Sequence, residues 1–184
     1  MTIYIFRGEH KNKSEELLKK AVKMYAAAHL QGFDTADLLI ERTEKGKPYI
    51  KDAPFHFSIS HTENLWGCLI SSHEVGLDIQ VKRNVNFEKI ANRFFVSEEV
   101  EFVRHNGIDG FFDIWVRKEA VIKYLGTGLR DIRSFCTVKN GKLTDEINYK
   151  NSTCYLGSVE IASGVKGAYC LGEVGLDLWI IELN

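Results

Sequence analysis

Asp78 and Gln80 stand two residues apart in a run, residues 75–81, that reads as a strand, so they share one face while Leu77 and Ile79 share the other. A carboxylate beside an amide oxygen suits a hard cation such as Mg²⁺, although any half-solvated strand alternates polar residues in the same way. Further along, Trp115, Glu119 and Lys123 recur at four-residue steps, on one stripe of a helix. Glu119 and Lys123 are then one turn apart, as in an ordinary surface ion pair or in an acid and a cation that serve one site. Lys47 lies between Gly46 and Pro48 in a turn, and Ser60 and His61 close a strand-like alternation. Taken singly, these are also what a turn lysine and a lone histidine look like.

The remaining pattern supplies elements to hold these side chains. Residues 2–6 alternate as a short strand. From Ser14, the positions Leu17, Leu18, Ala21, Val22, Tyr25 and Ala28 trace an amphipathic helix that Gly32 would stop. Residues 38–41 read as strand and 44–48 as a turn, and 55–60, 65–71 and 75–81 read as an antiparallel meander. Residues 85–95 can be helical, and Ser97 with Glu98 and Glu99 looks like a cap with first-turn acids, opening a helix through Val103. The clearest helix is 111–125, with Gly126 placed to end it. Beyond it come strand-like runs at 135–139, 142–147, 154–161, 167–171 and 176–183, with Asn140-Gly141 as a hairpin turn. The order describes an α+β protein. Glu74-Val75-Gly76-Leu77-Asp78 recurs as Glu173-Val174-Gly175-Leu176-Asp177, each after a strand with Gly and Cys, which suggests two similar halves.

Composition narrows the class. With 184 residues, 45% apolar, 27% charged and two prolines, the chain is globular, one domain or two small packed halves. Its 24 basic and 25 acidic side chains leave a net charge of −1, which argues against a nucleic-acid or anionic-membrane coat but leaves room for a local basic site. No segment has the makings of a signal peptide or a membrane span, so a cytoplasmic protein is expected. Cys68, Cys136, Cys154 and Cys170 lack zinc or disulfide spacing and are expected to be reduced and mostly buried.

Taken together, GKPY (46–49), FSISHT (57–62), VGLDIQ (75–80), RFFVSEE (93–99) and WVRKEAVIKYLGTGL (115–129) form a more specific pattern. In this order and at these separations they resemble the 4'-phosphopantetheinyl transferases, in particular the monomeric surfactin-synthetase type, a pseudo-twofold pair of similar α/β halves. The resemblance covers residues 46–129; the flanking segments agree only in length and strand pattern. It implies an N-terminal half, 1–84, and a C-terminal half, 85–184, packed as one unit. It implies transfer of the phosphopantetheine arm of coenzyme A to a serine of an acyl, peptidyl or aryl carrier protein, releasing adenosine 3',5'-bisphosphate. Neither nucleic acid nor membrane is an expected partner.

The same resemblance assigns residues. Lys47, Ser60 and His61 match positions that hold the coenzyme phosphates. Asp78 and Glu119 match the acids that bind Mg²⁺, with Mn²⁺ as an alternative. Lys123 matches a lysine near the phosphates that can stabilise the leaving group. Glu99 matches an acid near the metal that is proposed to help deprotonate the serine, a task that Glu119 itself or a metal-bound water could do. Gln80 departs from the pattern, standing where many relatives have a second acid; it can ligate through its amide oxygen but adds no charge. Lys19, Lys20 and Lys23 replace an arginine-rich run, and Asp177 would be a vestige of the metal strand. The alternative implied by Gln80 is a relative that binds coenzyme A or a carrier protein without transfer.

Overall fold

In the computed structural model, which describes residues 1–150 and 152–184, the chain opens with β1 (Thr2–Arg7) and α1 (Ser14–His29). Two short strands, β2 (Ile40–Arg42) and β3 (Pro48–Ile50), pair across the predicted turn, and β4 (His56–Thr62), β5 (Leu65–Ser71) and β6 (Val75–Val81) follow. The helices α2 (Phe87–Phe94) and α3 (Ser97–Leu125) lead to a 3-10 turn at Leu129–Asp131. The chain ends in β7 (Val138–Lys139), β8 (Lys142–Leu143), β9 (Glu146–Tyr149), β10 (Ser152–Glu160), β11 (Val165–Leu171) and β12 (Trp179–Glu182). The fold is α+β, as its pattern of apolar spacing predicts.

Local signals account for the element ends. Ser14 does not cap α1; its hydroxyl accepts from the Trp66 indole at 3.0 Å, and the helix stops at His29, short of Gly32. Asn86 caps α2 by accepting from the Lys89 amide. The cap of α3 is Val96 rather than Ser97, with Glu99 reaching back to accept from the Val96 amide at 3.0 Å. The two helices expected at 97–103 and 111–125 meet end to end, because Gly107, with φ of 61° and ψ of −146°, breaks the path without a loop. Asn140 and Gly141, both at positive φ, make the predicted hairpin turn, but the strand before it is only Val138–Lys139.

Two four-stranded sheets form, in the orders β12-β1-β5-β4 and β6-β11-β10-β9. The expected three-stranded meander does not form. β4 and β5 do form a hairpin, but β6 leaves it to pair antiparallel with β11. The reason lies in its two faces. Leu77 and Ile79 bury against Ile3, Ile5, Leu65 and Leu69 of the first sheet, while Gly76 turns toward α3, so β6 lies between layers. In exchange β12 crosses to lie parallel to β1. Each half thus lends a strand to the other's sheet, and a boundary at residue 84 does not separate the sheets. The repeated pentapeptide has no common structure: Glu74–Asp78 runs into β6, whereas residues 173–178 are irregular. Asp177 contributes its backbone carbonyl to the Met1 amino group at 2.9 Å.

A large aromatic cluster, with Phe95, Phe111 and Trp115 stacked in sequence, anchors α2 on α3. Val116, Ala120 and Val121 of α3 bury against Ile147, Cys154, Leu156 and Ala168 of the second sheet. The four cysteines are free thiols, three of them buried and Cys136 half-buried. Among the described residues no helix is long and apolar enough to cross a membrane.

Candidate active site

Gly76 sets the geometry of the site. A Cβ at this position would stand 2.0 Å from the Ala120 carbonyl oxygen and 2.5 Å from the Tyr124 amide, so only glycine lets β6 approach the backbone of α3 this closely. Two residues on, Asp78 shares that face and is carried to the stripe of α3 that holds Glu119 and Lys123. Its Oδ1 accepts from Lys123 Nζ at 2.7 Å and from Ser60 Oγ at 2.8 Å. Its Oδ2 is buried and has no hydrogen-bond partner. The Glu119 carboxyl is pushed up to about 7, mainly by burial and further by the Asp78 charge, with Lys123 pulling it down.

Asp78, Glu119, Lys123 and Ser60 are therefore brought together. Gln80 is half-buried, on the same face as Asp78 and opposite Lys166 in the register of β11. It adds no charge, and among the described residues no group of three or more His, Cys, Asp or Glu side chains is gathered. The two acids nonetheless fit a divalent cation: an orphaned, buried carboxylate oxygen beside a second carboxyl is a hard oxygen donor set with an unmet need for positive charge.

Beside this cluster opens a cleft of about 240 Å³, walled by Lys45, Gly46, Lys47, Phe57, Ile59, Ile122 and Lys123. Apolar walls with lysines at the rim suit a ligand with an organic body and anionic groups. Lys47 reaches across it to the turn before β6 and the end of α3. Its Nζ pairs with Glu74 and donates to the carbonyls of Val75 at 3.2 Å and Tyr124 at 3.1 Å. Glu74 also pairs with His56 at 3.3 Å. Lys47 is thus at the cleft with its donors engaged, and a phosphate would have to displace Glu74. His61 is exposed at the end of β4, its ring centroid 5.4 Å from that of His10, which is buried. Nothing in the sequence pattern links His10 to His61.

Glu99 has its own set of partners. Its Oε1 accepts from the Thr137 amide and hydroxyl at 2.8 and 2.9 Å, and its Oε2 accepts from Val96 N–H and pairs with Lys118 Nζ at 2.9 Å. Both side chains of the pair are wholly buried, and Lys118 also donates to the carbonyls of Ile132 and Phe135. Burial pulls the Lys118 ammonium down in pKa while the Glu99 charge pulls it up. A carboxylate so bonded ties the start of α3 to the segment after it. The sequence signal for this was Lys118 itself, a lysine in the helix next to Glu119.

A strand–helix crossing sets the buried Asp78 and the half-buried Glu119 with Lys123 at the edge of a cleft rimmed by lysines, an arrangement suited to a phosphate-bearing ligand. The sequence profile of the 4'-phosphopantetheinyl transferase superfamily matches residues 74–164, a span that includes β6, α2, α3, Asp78 and Glu119. The chain is 33% identical over 145 residues to the 4'-phosphopantetheinyl transferase Sfp of Bacillus subtilis (strain 168), covering 74% of this chain and 64% of Sfp. It is 31% identical over 153 residues to another Bacillus subtilis 4'-phosphopantetheinyl transferase, covering 79% of this chain and 68% of that one. To the transferase gsp of Aneurinibacillus migulanus it is 35% identical over 121 residues, covering 63% and 49%. The chain belongs to the 4'-phosphopantetheinyl transferase superfamily. It spans between about half and two thirds of the length of these relatives.

Proposed function

We propose that the protein transfers the 4'-phosphopantetheine arm of coenzyme A to a serine of a carrier protein. The serine oxygen forms a bond to the phosphorus that bears the arm, the bond from that phosphorus to the bridging oxygen breaks, and adenosine 3',5'-bisphosphate leaves. The observation that carries this reading is the unpartnered Asp78 Oδ2, buried beside Glu119 and Lys123 at the cleft. Asp78 and Glu119 would hold Mg²⁺ or Mn²⁺, with Gln80 as a neutral neighbour, and the bound cation would neutralise pyrophosphate charge.

The chain's own residues do the positioning. The Lys123 side chain is 29% exposed, so it can turn from Asp78 to an incoming phosphate and stabilise the leaving group. Lys47 and His61 are the side chains proposed to receive the remaining phosphates, Lys47 after release from Glu74. Glu119, facing the same cluster, is the carboxylate that can accept the serine proton. Glu99 holds α3 in place through its own ion pair. Because one chain supplies all of these groups, the reading implies a monomer, and with no chemistry that calls for a membrane or nucleic acid it implies a cytoplasmic enzyme.

Apo forms of an acyl, a peptidyl and an aryl carrier protein, each incubated with the protein, coenzyme A and Mg²⁺, test the proposal by intact mass. A gain equal to the phosphopantetheine arm on at least one carrier is expected. No gain on carriers that a control transferase loads would overturn it. The gathering of only two acids favours one second reading, a relative that binds coenzyme A without transfer; calorimetric binding without a mass gain is its signature.

A further inference from the structure

From Ser58 onward β4 carries a hydroxyl at every second position, and each one meets an amide of β6. Leu77 N–H donates to Ser58 Oγ at 3.0 Å, Ile79 N–H to Ser60 Oγ at 3.1 Å and Val81 N–H to Thr62 Oγ1 at 3.2 Å. Both strands ascend together through these pairs, so β6 runs parallel to β4, with side-chain hydroxyls standing where a neighbouring strand would offer carbonyls. This row of bonds joins the two sheets beside the site.

As acceptors the three hydroxyls are alike, but Ser60 has a second task. It gives its proton to Asp78 Oδ1 at 2.8 Å. A hydroxyl has one proton and two acceptor lone pairs; the Ile79 amide uses one of those lone pairs, and because a carboxylate only accepts, the proton of Ser60 goes to Asp78. Ser60 is 3% exposed and cannot present that proton to a ligand in the cleft while the bond stands. Lys123, the other partner of Oδ1, has a partly exposed side chain that is free to turn toward solvent, whereas Ser60 is held by both the Ile79 amide and Asp78.

We propose that Ser60 is a positioning residue for Asp78, rather than the phosphate ligand that sequence similarity suggests. The seam locks the hydroxyl, the hydroxyl holds Oδ1, and the carboxylate is thereby oriented with its unpartnered Oδ2 kept for a cation. This rests on the reading of Asp78 as a cation-binding carboxylate. Hydrogen bonds that orient a ligating side chain commonly govern metal affinity by about 10–100-fold.

Binding of Mn²⁺ to the metal-free protein, read by electron paramagnetic resonance, separates this role from a merely structural one. Ser58→Ala and Ser60→Ala each remove one seam acceptor, and both should lower the melting temperature by similar amounts. Only Ser60→Ala should also weaken Mn²⁺ binding, by about tenfold or more, while Ser58→Ala stays within about twofold and Asp78→Asn abolishes it. Should Ser60→Ala lose its fold, Ser60→Cys, a weaker donor of similar size, should give the same ordering. Equal affinities in the two alanine variants would overturn the positioning role and leave the seam structural. Absence of Mn²⁺ binding in the wild type would instead overturn the cation reading of Asp78, and the role of Ser60 with it.

Discussion

Lys118 and Glu119 are neighbours on α3, and each belongs to a buried carboxylate cluster of a different kind. Around Glu99, both carboxylate oxygens have donors and Lys118 adds two backbone carbonyls to its ion pair. Around Asp78, one oxygen has two donors and the other has none, and the nearby Glu119 carboxyl is pushed up to about 7. A buried polar atom left without a partner costs on the order of 1–3 kcal/mol. The first cluster is complete without a ligand and acts as a clamp; the second stays short of positive charge and is where a cation and an anionic substrate would add stability. Proximity of acids and lysines in the sequence therefore says less than the state of their hydrogen bonds.

Three experiments would break or sharpen this contrast. The largest effect is expected from the acids of the open cluster. Asp78→Ala or Glu119→Ala should lower the rate of carrier loading by about 100-fold or more, since the cation contributes several kcal/mol to the transition state, without a matching loss of fold by circular dichroism. Turnover near wild type in either variant would remove that residue from the site.

The closed cluster should fail in the opposite way. Lys118→Met leaves the Glu99 charge buried and uncompensated, and a loss of about 3–5 kcal/mol in urea unfolding is expected. Replacing both partners, Glu99→Gln with Lys118→Met, should recover much of that stability, with loading per folded molecule close to wild type. A double variant that is stable and folded yet inactive would return Glu99 to the chemistry and end its description as a clamp.

The smallest effect is a pH dependence. The folded pKa of Glu119, about 7, lies above the ordinary 4.5, so its contribution to stability is fully present below pH 4.5 and is lost as pH rises through 7. In chelator, the melting temperature of Glu119→Gln relative to wild type should therefore climb between pH 5 and pH 8. Added Mg²⁺ at pH 8 should raise the wild-type melting temperature and leave the variant unmoved. A pH-independent difference would mean that Glu119 is hydrated rather than buried beside Asp78.

Much of the positioning was legible along the chain. The strand that carries Asp78 and Gln80, the helical stripe of Glu119 and Lys123, the Gly46–Pro48 turn and the Asn140-Gly141 hairpin all follow from periods of two and of 3.6 residues and from turn chemistry. The meander does not form, because one face of β6 packs on the first sheet while α3 covers the other; alternation shows only that a strand has two faces. The partners of Glu99 lie beyond such local patterns too: its capping position is readable, but Thr137, 38 residues away, is not visible as its partner.

The sequence by itself determined which residue types stand on which face of which element, because those faces depend on neighbours two to four positions apart. Only the tertiary structure decided which faces meet. Asp78 reaches Lys123 across 45 residues because Gly76 has no Cβ to hold β6 away from α3, and because the hydroxyls of β4 fix the strand from the other side. Whether a buried acid is satisfied or left in need of a ligand depends on every donor within hydrogen-bonding distance, and that count exists only once the distant segments have packed.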